Sequence, residues 1–292
     1  MKKKIIVLAL SVFVMYGVIS CMRIDDGKTD GMSWCGYTLK DKKEQHFFCD
    51  RKNDIEYHGR FSNHSYIGNK QYIGILKDEN ASYYLAIYDA LKNSIKKLNE
   101  LKMYIGEQTV QENSDKTAVY YADVFLEGEE EKTAIYKLDL MTNNETVILV
   151  TEGYHENFNF SITKDEKCIY YIESLCLKSY NVETKEDTKI KDNINYFDIS
   201  SEGDYVICER HDHMVSIYDL KNNSEKELLS VKDFSPTIKI SPDDKSFVYL
   251  KYKKDWFGQI SQTVIHIYSI DDEKDKSIYK TRKNEIITGV DW

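Results

Sequence analysis

Ser235-Pro236-Thr237-Ile238-Lys239-Ile240-Ser241-Pro242-Asp243-Asp244-Lys245-Ser246-Phe247-Val248-Tyr249-Leu250 places two apolar, strand-like runs on either side of a polar turn. A third run, Val264-Ile265-His266-Ile267-Tyr268-Ser269-Ile270, follows after a loop. Strand, polar turn, strand, hairpin loop, strand is most of one four-stranded propeller blade. If the pattern recurs at a steady interval the fold follows, and function becomes a question about loops.

It does recur. Polar turns each followed by an apolar run stand at Asn69 to Ile75, Ser114 to Tyr120, Asp165 to Tyr171, Glu202 to Cys208 and Asp243 to Tyr249. Taking Lys70, Lys116, Lys167, Asp204 and Lys245 as equivalent, the steps are 46, 51, 37 and 41 residues. A third-strand signature closes each unit: Ile87-Tyr88-Asp89, Ile135-Tyr136-Lys137, Ser179-Tyr180-Asn181, Ile217-Tyr218-Asp219 and Ile267-Tyr268-Ser269. A step near 44 with period-two anchors fits a propeller and not a helical array. A doubly wound α/β fold needs helical patterns between its strands, whereas linkers such as Lys221 to Lys226 are short and turn-like. A pair of β-sandwiches is the competing architecture.

The ends carry a further expectation. Ile286 to Trp292 matches the inner strand that precedes each turn, and the clusters between Trp34 and Phe61 resemble strands without a partner. Sharing a blade between the two ends would remove exposed sheet edges. The sequence therefore predicts an all-β fold: a six-bladed β-propeller of four-stranded antiparallel blades over residues 34–292, its last blade shared between the N- and C-termini.

Composition agrees, with 23 Tyr and 11 Phe against 2 Pro in 292 residues. Residues 1–20 read as an export signal, Lys2-Lys3-Lys4 followed by the apolar run Ile5 to Ile19. Val18-Ile19-Ser20-Cys21 resembles the lipobox of bacterial lipoproteins, which implies a lipid on Cys21 and a polar tether over residues 21–33. The other reading is an uncleaved anchor, for which fifteen apolar residues are short. Net charge is −9, and −12 once the three lysines of the signal are removed. Such a chain lacks the basic footprint of a nucleic-acid binder. Of the remaining cysteines, Cys35 and Cys49 could bridge a hairpin, while Cys168, Cys176 and Cys208 fall in predicted strands.

Ile240-Ser241-Pro242-Asp243-Asp244-Lys245-Ser246-Phe247-Val248-Tyr249 resembles the repeat of TolB-like six-bladed propellers, related to those of prolyl-oligopeptidase-type peptidases. The resemblance extends over about residues 60–292, with degraded copies at Ser200 to Asp204 and Thr163 to Lys167. It implies protein or peptide binding or a scaffold role; some related propellers act on sugars.

Catalytic motifs are sparse. G-x-S-x-G, HExxH and a Gly-rich phosphate loop do not occur. His211-Asp212-His213 is the best metal candidate, but it sits at a hairpin turn and reads as solvated. Asp165, Glu202 and Asp243 recur at the same turn, as capping acceptors do. No catalytic residue, metal site or cofactor is assigned. Two hairpin loops stand out: the acidic tip carrying Glu129 and Glu130, and Lys253-Lys254-Asp255-Trp256-Phe257-Gly258-Gln259. Exposed aromatics on a loop need local packing or a partner, so Trp256, Phe257, Lys253, Lys254, Glu129 and Glu130 form the expected binding set.

The functional expectation is a monomeric, non-catalytic binding or scaffold module for a protein, peptide or glycan. It would sit on the outer face of a bacterial cell membrane, held by the lipid on Cys21. The alternative is an exported hydrolase or lyase working at the channel mouth, with His155 and Asp198 as the residues to test.

Overall fold

The computed structural model describes residues 32–40, 43–50, 55–58, 61–103, 110–155, 158–231 and 234–292. Cys21, the signal and most of the tether lie outside the described residues. Every regular element among those described is a β-strand.

Three strands come first, β1 (Ser33–Lys40), β2 (Lys43–Asp50) and β3 (Ile55–His58). Four sheets of four antiparallel strands follow: β4 (Phe61–Gly68), β5 (Gln71–Lys77), β6 (Tyr83–Asp89) and β7 (Ser94–Leu101); β8 (Val110–Glu112), β9 (Ala118–Glu127), β10 (Glu130–Asp139) and β11 (Glu145–Val150); β12 (Phe160–Ile162), β13 (Cys168–Glu173), β14 (Cys176–Asn181) and β15 (Asp187–Asp192); β16 (Ile194–Ile199), β17 (Tyr205–Arg210), β18 (Met214–Asp219) and β19 (Ser224–Ser230). The chain ends with β20 (Phe234–Ile240), β21 (Ser246–Lys254), β22 (Ile260–Ser269), β23 (Lys274–Lys280) and β24 (Glu285–Asp291).

The last strand pairs with the first: β24 lies antiparallel to β1, with Ser33 opposite Asp291 and Thr38 opposite Glu285. The expected sharing between the two ends is therefore present. The sheet count differs from expectation, at five hydrogen-bonded sheets instead of six. β24, β1, β2 and β3 are fused to β20–β23 in one eight-stranded sheet. The fusion is a single parallel pairing of Gln262 with Glu285. Thr263 secures it, its hydroxyl accepting from Ile287 N at 3.0 Å, while its own N–H donates to Thr281 Oγ1 at 2.8 Å.

Burial lies between sheets. On β9, Tyr120, Ala122 and Val124 pack toward Phe160, Ile169 and Tyr171 of the next sheet, while Val119 and Tyr121 pack toward Ile73, Ile75 and Leu85 of the previous one. Both faces of a middle strand are covered, so it is apolar at successive positions instead of alternating. The same arrangement joins the third sheet to the fourth through Phe197 and Leu177, and the fourth to β20–β22 through Ile238, Phe247 and Val215. Cys35 on β1 packs with Phe61 and Tyr72, joining β1 to the sheet of β4–β7.

The turn after each inner strand is held by side chains. Ser241 Oγ donates to Asp243 Oδ1 at 2.6 Å and accepts from Ser246 N at 3.0 Å, while Lys245 N donates to Asp243 at 3.2 Å. Thr163 and Asp165 repeat this arrangement. Those two acids cap, as their spacing suggests. At the fourth sheet Ser200 Oγ takes that place, accepting from Asp204 N and Tyr205 N, and Glu202 instead faces Lys164 at 3.7 Å.

The backbone turns left-handed at Lys116, Glu166, Gly203 and Asp244, with φ between 57° and 72°. These residues are the true equivalents, so the aligned positions Lys167, Asp204 and Lys245 stand one residue late relative to Lys116. The side chains of Lys116, Glu166 and Asp244 reach back to the preceding sheet. Lys116 Nζ donates to Tyr66 O at 2.6 Å, Asn113 Nδ2 donates to Glu166 Oε1 at 3.0 Å, and Ser201 Oγ donates to Asp244 Oδ2 at 2.6 Å.

Cys176 and Cys208 are buried thiols, and Cys168 is half-buried. The β1–β2 register sets Cys35 opposite Phe48 and Cys49 opposite Trp34, one step out of line for a bridge.

Candidate functional site

Six inner strands, β4, β8, β12, β16, β20 and β24, surround the channel; β24 packs against both β20 and β4. Along each, alternate positions face the neighbouring sheets and the channel. Phe197 and Ile199 are core residues, whereas Asp198 between them lines the channel.

At the end carrying the capped turns the channel opens into a cavity of about 350 Å³. Its wall is largely hydroxyl and amide: Ser65, Asn113, Ser161, Thr163, Ser200 and Ser241 all contribute. Six charged residues line it as well, Glu112, Lys164, Asp198, Lys239, Asp244 and Asp291, together with Trp292. Asp198 is deeply buried and fully engaged. Its Oδ2 accepts from Ile240 N at 2.8 Å, and its Oδ1 accepts from Ser161 Oγ at 3.2 Å and stands 4.0 Å from Lys239 Nζ. Trp292 is fixed by its indole N–H, which donates to Lys239 O at 3.0 Å.

At the inner part of the cavity Glu112, Asp198 and Asp291 act on Lys239. Burial acts to discharge Lys239, but Asp198, Asp291 and Glu112 outweigh it and hold the amine charged. Asp291 is pushed up to about 7, first by burial and then by repulsion from Glu112 and Asp198, which Lys239 only partly offsets.

The opposite end of the channel carries the hairpins and the links between sheets. Here second strands carry buried acids. Asp123 accepts from Lys102 N and Met103 N at 3.0 and 3.3 Å, tying down the link after β7. Glu173 accepts from Glu152 N at 3.2 Å, tying down the link after β11, and pairs with Lys178. His155 lies here, stacked near Phe158 and 3.4 Å from Glu173. His155 and Asp198 therefore belong to different ends of the channel and form no joint site.

Burial acts to raise the Glu173 carboxyl, but Lys178, the Glu152 N–H and His155 prevail and hold it below the ordinary glutamate range. A depressed acid stabilises the fold above its unfolded value and loses that contribution as pH falls through its folded value. Glu173→Gln is expected to lower unfolding free energy by about 1–2 kcal/mol at pH 7. Denaturant titrations should show the two proteins converging below about pH 4; a gap that stays constant with pH would contradict the assignment.

The hairpin residues stand apart from one another. Trp256 is 96% exposed and Phe257 85%, so local packing does not account for them. Their turn is nevertheless fixed: Asp255 Oδ1 accepts from Phe257 N at 2.9 Å and Gln259 N at 3.0 Å, and Gly258 adopts a φ of 78°. Lys253 and Lys254 flank it, exposed. Glu129 and Glu130 are exposed at the β9–β10 tip, where Lys132 pairs with Glu127. Both tips lie at the same end of the channel but on non-adjacent sheets. At the third candidate, His213 Nδ1 bonds Glu209 Oε1 at 3.0 Å, while His211 Nδ1 faces Asn195 Oδ1 at 3.5 Å. The two histidines thus serve different acceptors in an exposed turn. Among the described residues no group of three His, Cys, Asp or Glu side chains is arranged to hold a metal ion.

Sequence reasoning missed Glu112, Lys239, Asp291 and Trp292. A signal existed in Lys239: a charge inside Thr237-Ile238-Lys239-Ile240, where outward positions of an inner strand have only the channel to face.

No protein-family model matches the sequence. No curated protein matches it either. Solved structures do. TolB from Acinetobacter baumannii superposes with a TM-score of 0.64 at 12% identity, covering 91% of this chain and 68% of that one. A putative TolB from Agrobacterium tumefaciens gives 0.59 at 13% identity, covering 89% and 97%. An oligogalacturonate lyase in complex with manganese gives 0.56 at 12% identity, covering 85% and 74%. Likeness at these identities establishes the propeller fold, which binding proteins and enzymes share.

Proposed function

We propose that this propeller is a non-catalytic binding or scaffold module that captures a protein, peptide or glycan through the Trp256–Phe257 loop. The observation that carries the reading is two adjacent aromatic rings, almost wholly in solvent, on a turn whose backbone is pinned by Asp255. Leaving such rings in water forfeits burial worth roughly 1.5–3 kcal/mol each. A pinned turn also lowers the ordering cost of binding. Lys253 and Lys254 beside the rings would complement an acidic partner surface. Glu129 and Glu130, at the same end of the channel, would contact the partner's far edge. The protein acts as an exported monomer, held at the outer face of the cell membrane by a lipid on Cys21, with nucleic acid excluded by its charge. The TolB likeness of the fold supports a scaffold role.

The test is capture from envelope extracts by the wild-type protein and by Trp256→Ser/Phe257→Ser. The double variant should lose at least nine-tenths of the captured partner with its melting temperature unchanged. Undiminished capture would refute the site.

A second reading, a hydrolase or lyase at the channel mouth, is favoured by one observation: Asp291, whose carboxyl burial pushes up to about 7, lines the same cavity as Asp198, and two carboxyls in one cavity can divide the roles of acid and base. Depolymerisation of neutral oligosaccharides by the wild type, lost in Asp291→Asn, would establish it.

A further inference from the structure

The geometry points to the channel-mouth cavity as a binding site for an alkylammonium group, separate from the aromatic loop. Three features converge there. The first is enclosure: about 350 Å³ bounded by turns from several sheets, within the range of small-ligand pockets and ample for a lysine side chain or an aminobutyl segment. The second is charge. Four carboxylates, Glu112, Asp198, Asp244 and Asp291, face two lysines, Lys164 and Lys239, so a further cation is needed to balance the site when all four carboxyls are ionised. The third is an aromatic wall. The Trp292 ring lines the cavity and cannot swing away freely while its N–H is bound to Lys239 O. An aromatic ring beside carboxylates attracts ammonium through its quadrupole, and the carboxylates do so through their charge.

The surrounding groups refine the choice. Asp198 is committed to Ile240 N, Ser161 and Lys239, which leaves Glu112 and Asp291 as the partners for an incoming cation. Ser65 and Ser161, whose hydroxyls donate to Val110 O and Asp198, can accept the remaining N–H bonds. An anionic sugar acid would meet the same carboxylates as repulsion, so the cavity is unsuited to an acidic oligosaccharide. Lys164 and the carboxylate of Asp244 also face the cavity, and Asp244 is already bonded to Ser201. Cation binding near neutral pH should displace the proton that Asp291 otherwise keeps, making affinity rise with pH.

The experiment is calorimetric titration of the full-length protein in detergent at low salt. Spermidine and a blocked Gly-Lys-Gly peptide are the two probes, each measured from pH 6 to 8 in buffers of differing ionisation enthalpy. Saturable binding of either probe is expected, with proton release at pH 7 and at least tenfold weaker affinity in Asp291→Asn and in Glu112→Gln. Binding of spermidine alone assigns a polyamine, and binding of the peptide alone assigns a lysine side chain. Trp256→Ser/Phe257→Ser should bind both probes like the wild type, which keeps this site distinct from the proposed capture loop. Absence of saturable binding by both probes, or wild-type affinity in both carboxyl variants with their melting curves intact, would overturn the inference.

Discussion

Gly36→Val should fail to join the two ends of the chain. Gly36 pairs with Ile287 at a register shift in the β1–β24 ladder. A Cβ there would lie 2.1 Å from Ile286 O and 2.9 Å from Ile287 Cα. Both are backbone atoms of the partner strand, so no rotamer change relieves the clash and the strands must separate. The expected loss is about 4 kcal/mol or more, on the scale of severe overpacking. At roughly 2–4 °C per kcal/mol for a domain of this size, the thermal midpoint should fall by about 10 °C. Gly153→Ala is the matched control. No atom lies within 4 Å of its Cβ position, and its midpoint should move by about a degree or less. A Gly36→Val protein melting with the wild type would show that the β1–β24 pairing does not hold the fold together.

The second large effect is expected at Asp198. Its alanine variant strands the buried N–H of Ile240, the hydroxyl of Ser161 and the ammonium of Lys239 at once. Removing one member of a buried charge pair costs about 3–5 kcal/mol, because the remaining charge stays in a poorly solvating place. Lys239 retains Asp291 and Glu112 nearby, so the lower end of that range is expected. Asp198→Asn, which can still accept from Ile240 N, should recover roughly half. Urea titration distinguishes these outcomes, and a loss below about 1 kcal/mol for alanine would mean that water takes over the carboxylate's bonds.

Much of the fold was legible because its repeat is written in turns. A short oxygen-bearing side chain is needed wherever an inner strand reverses into the next, and Thr163, Ser200 and Ser241 advertise it. Tyr88, Tyr180, Tyr218 and Tyr268 mark third strands because a half-polar ring suits a strand between core and rim. What escaped was partnership across sheets. Glu166 and Asp244 read as ordinary turn residues, and only the folded chain shows each bracketing the sheet before it. The sheet count escaped for a similar reason. One parallel pairing between Gln262 and Glu285 fuses two strand sets, and a single pairing leaves no periodic trace. The channel cluster was illegible as a set, since Glu112, Asp198, Lys239 and Asp291 come from four different strands. The exposed aromatics were visible in sequence, but whether they pack locally was a question only burial could answer.

The β1–β24 pairing also determines how the molecule bears load. A pull on the chain ahead of Ser33 runs along β1, which is paired with β24 on one side and with β2 on the other. Such a force shears both ladders together, so many hydrogen bonds must yield at once instead of one after another. A pull from the β1 side is thus this propeller's mechanically strong direction, whereas a tug at the β21–β22 tip would peel that hairpin one pairing at a time.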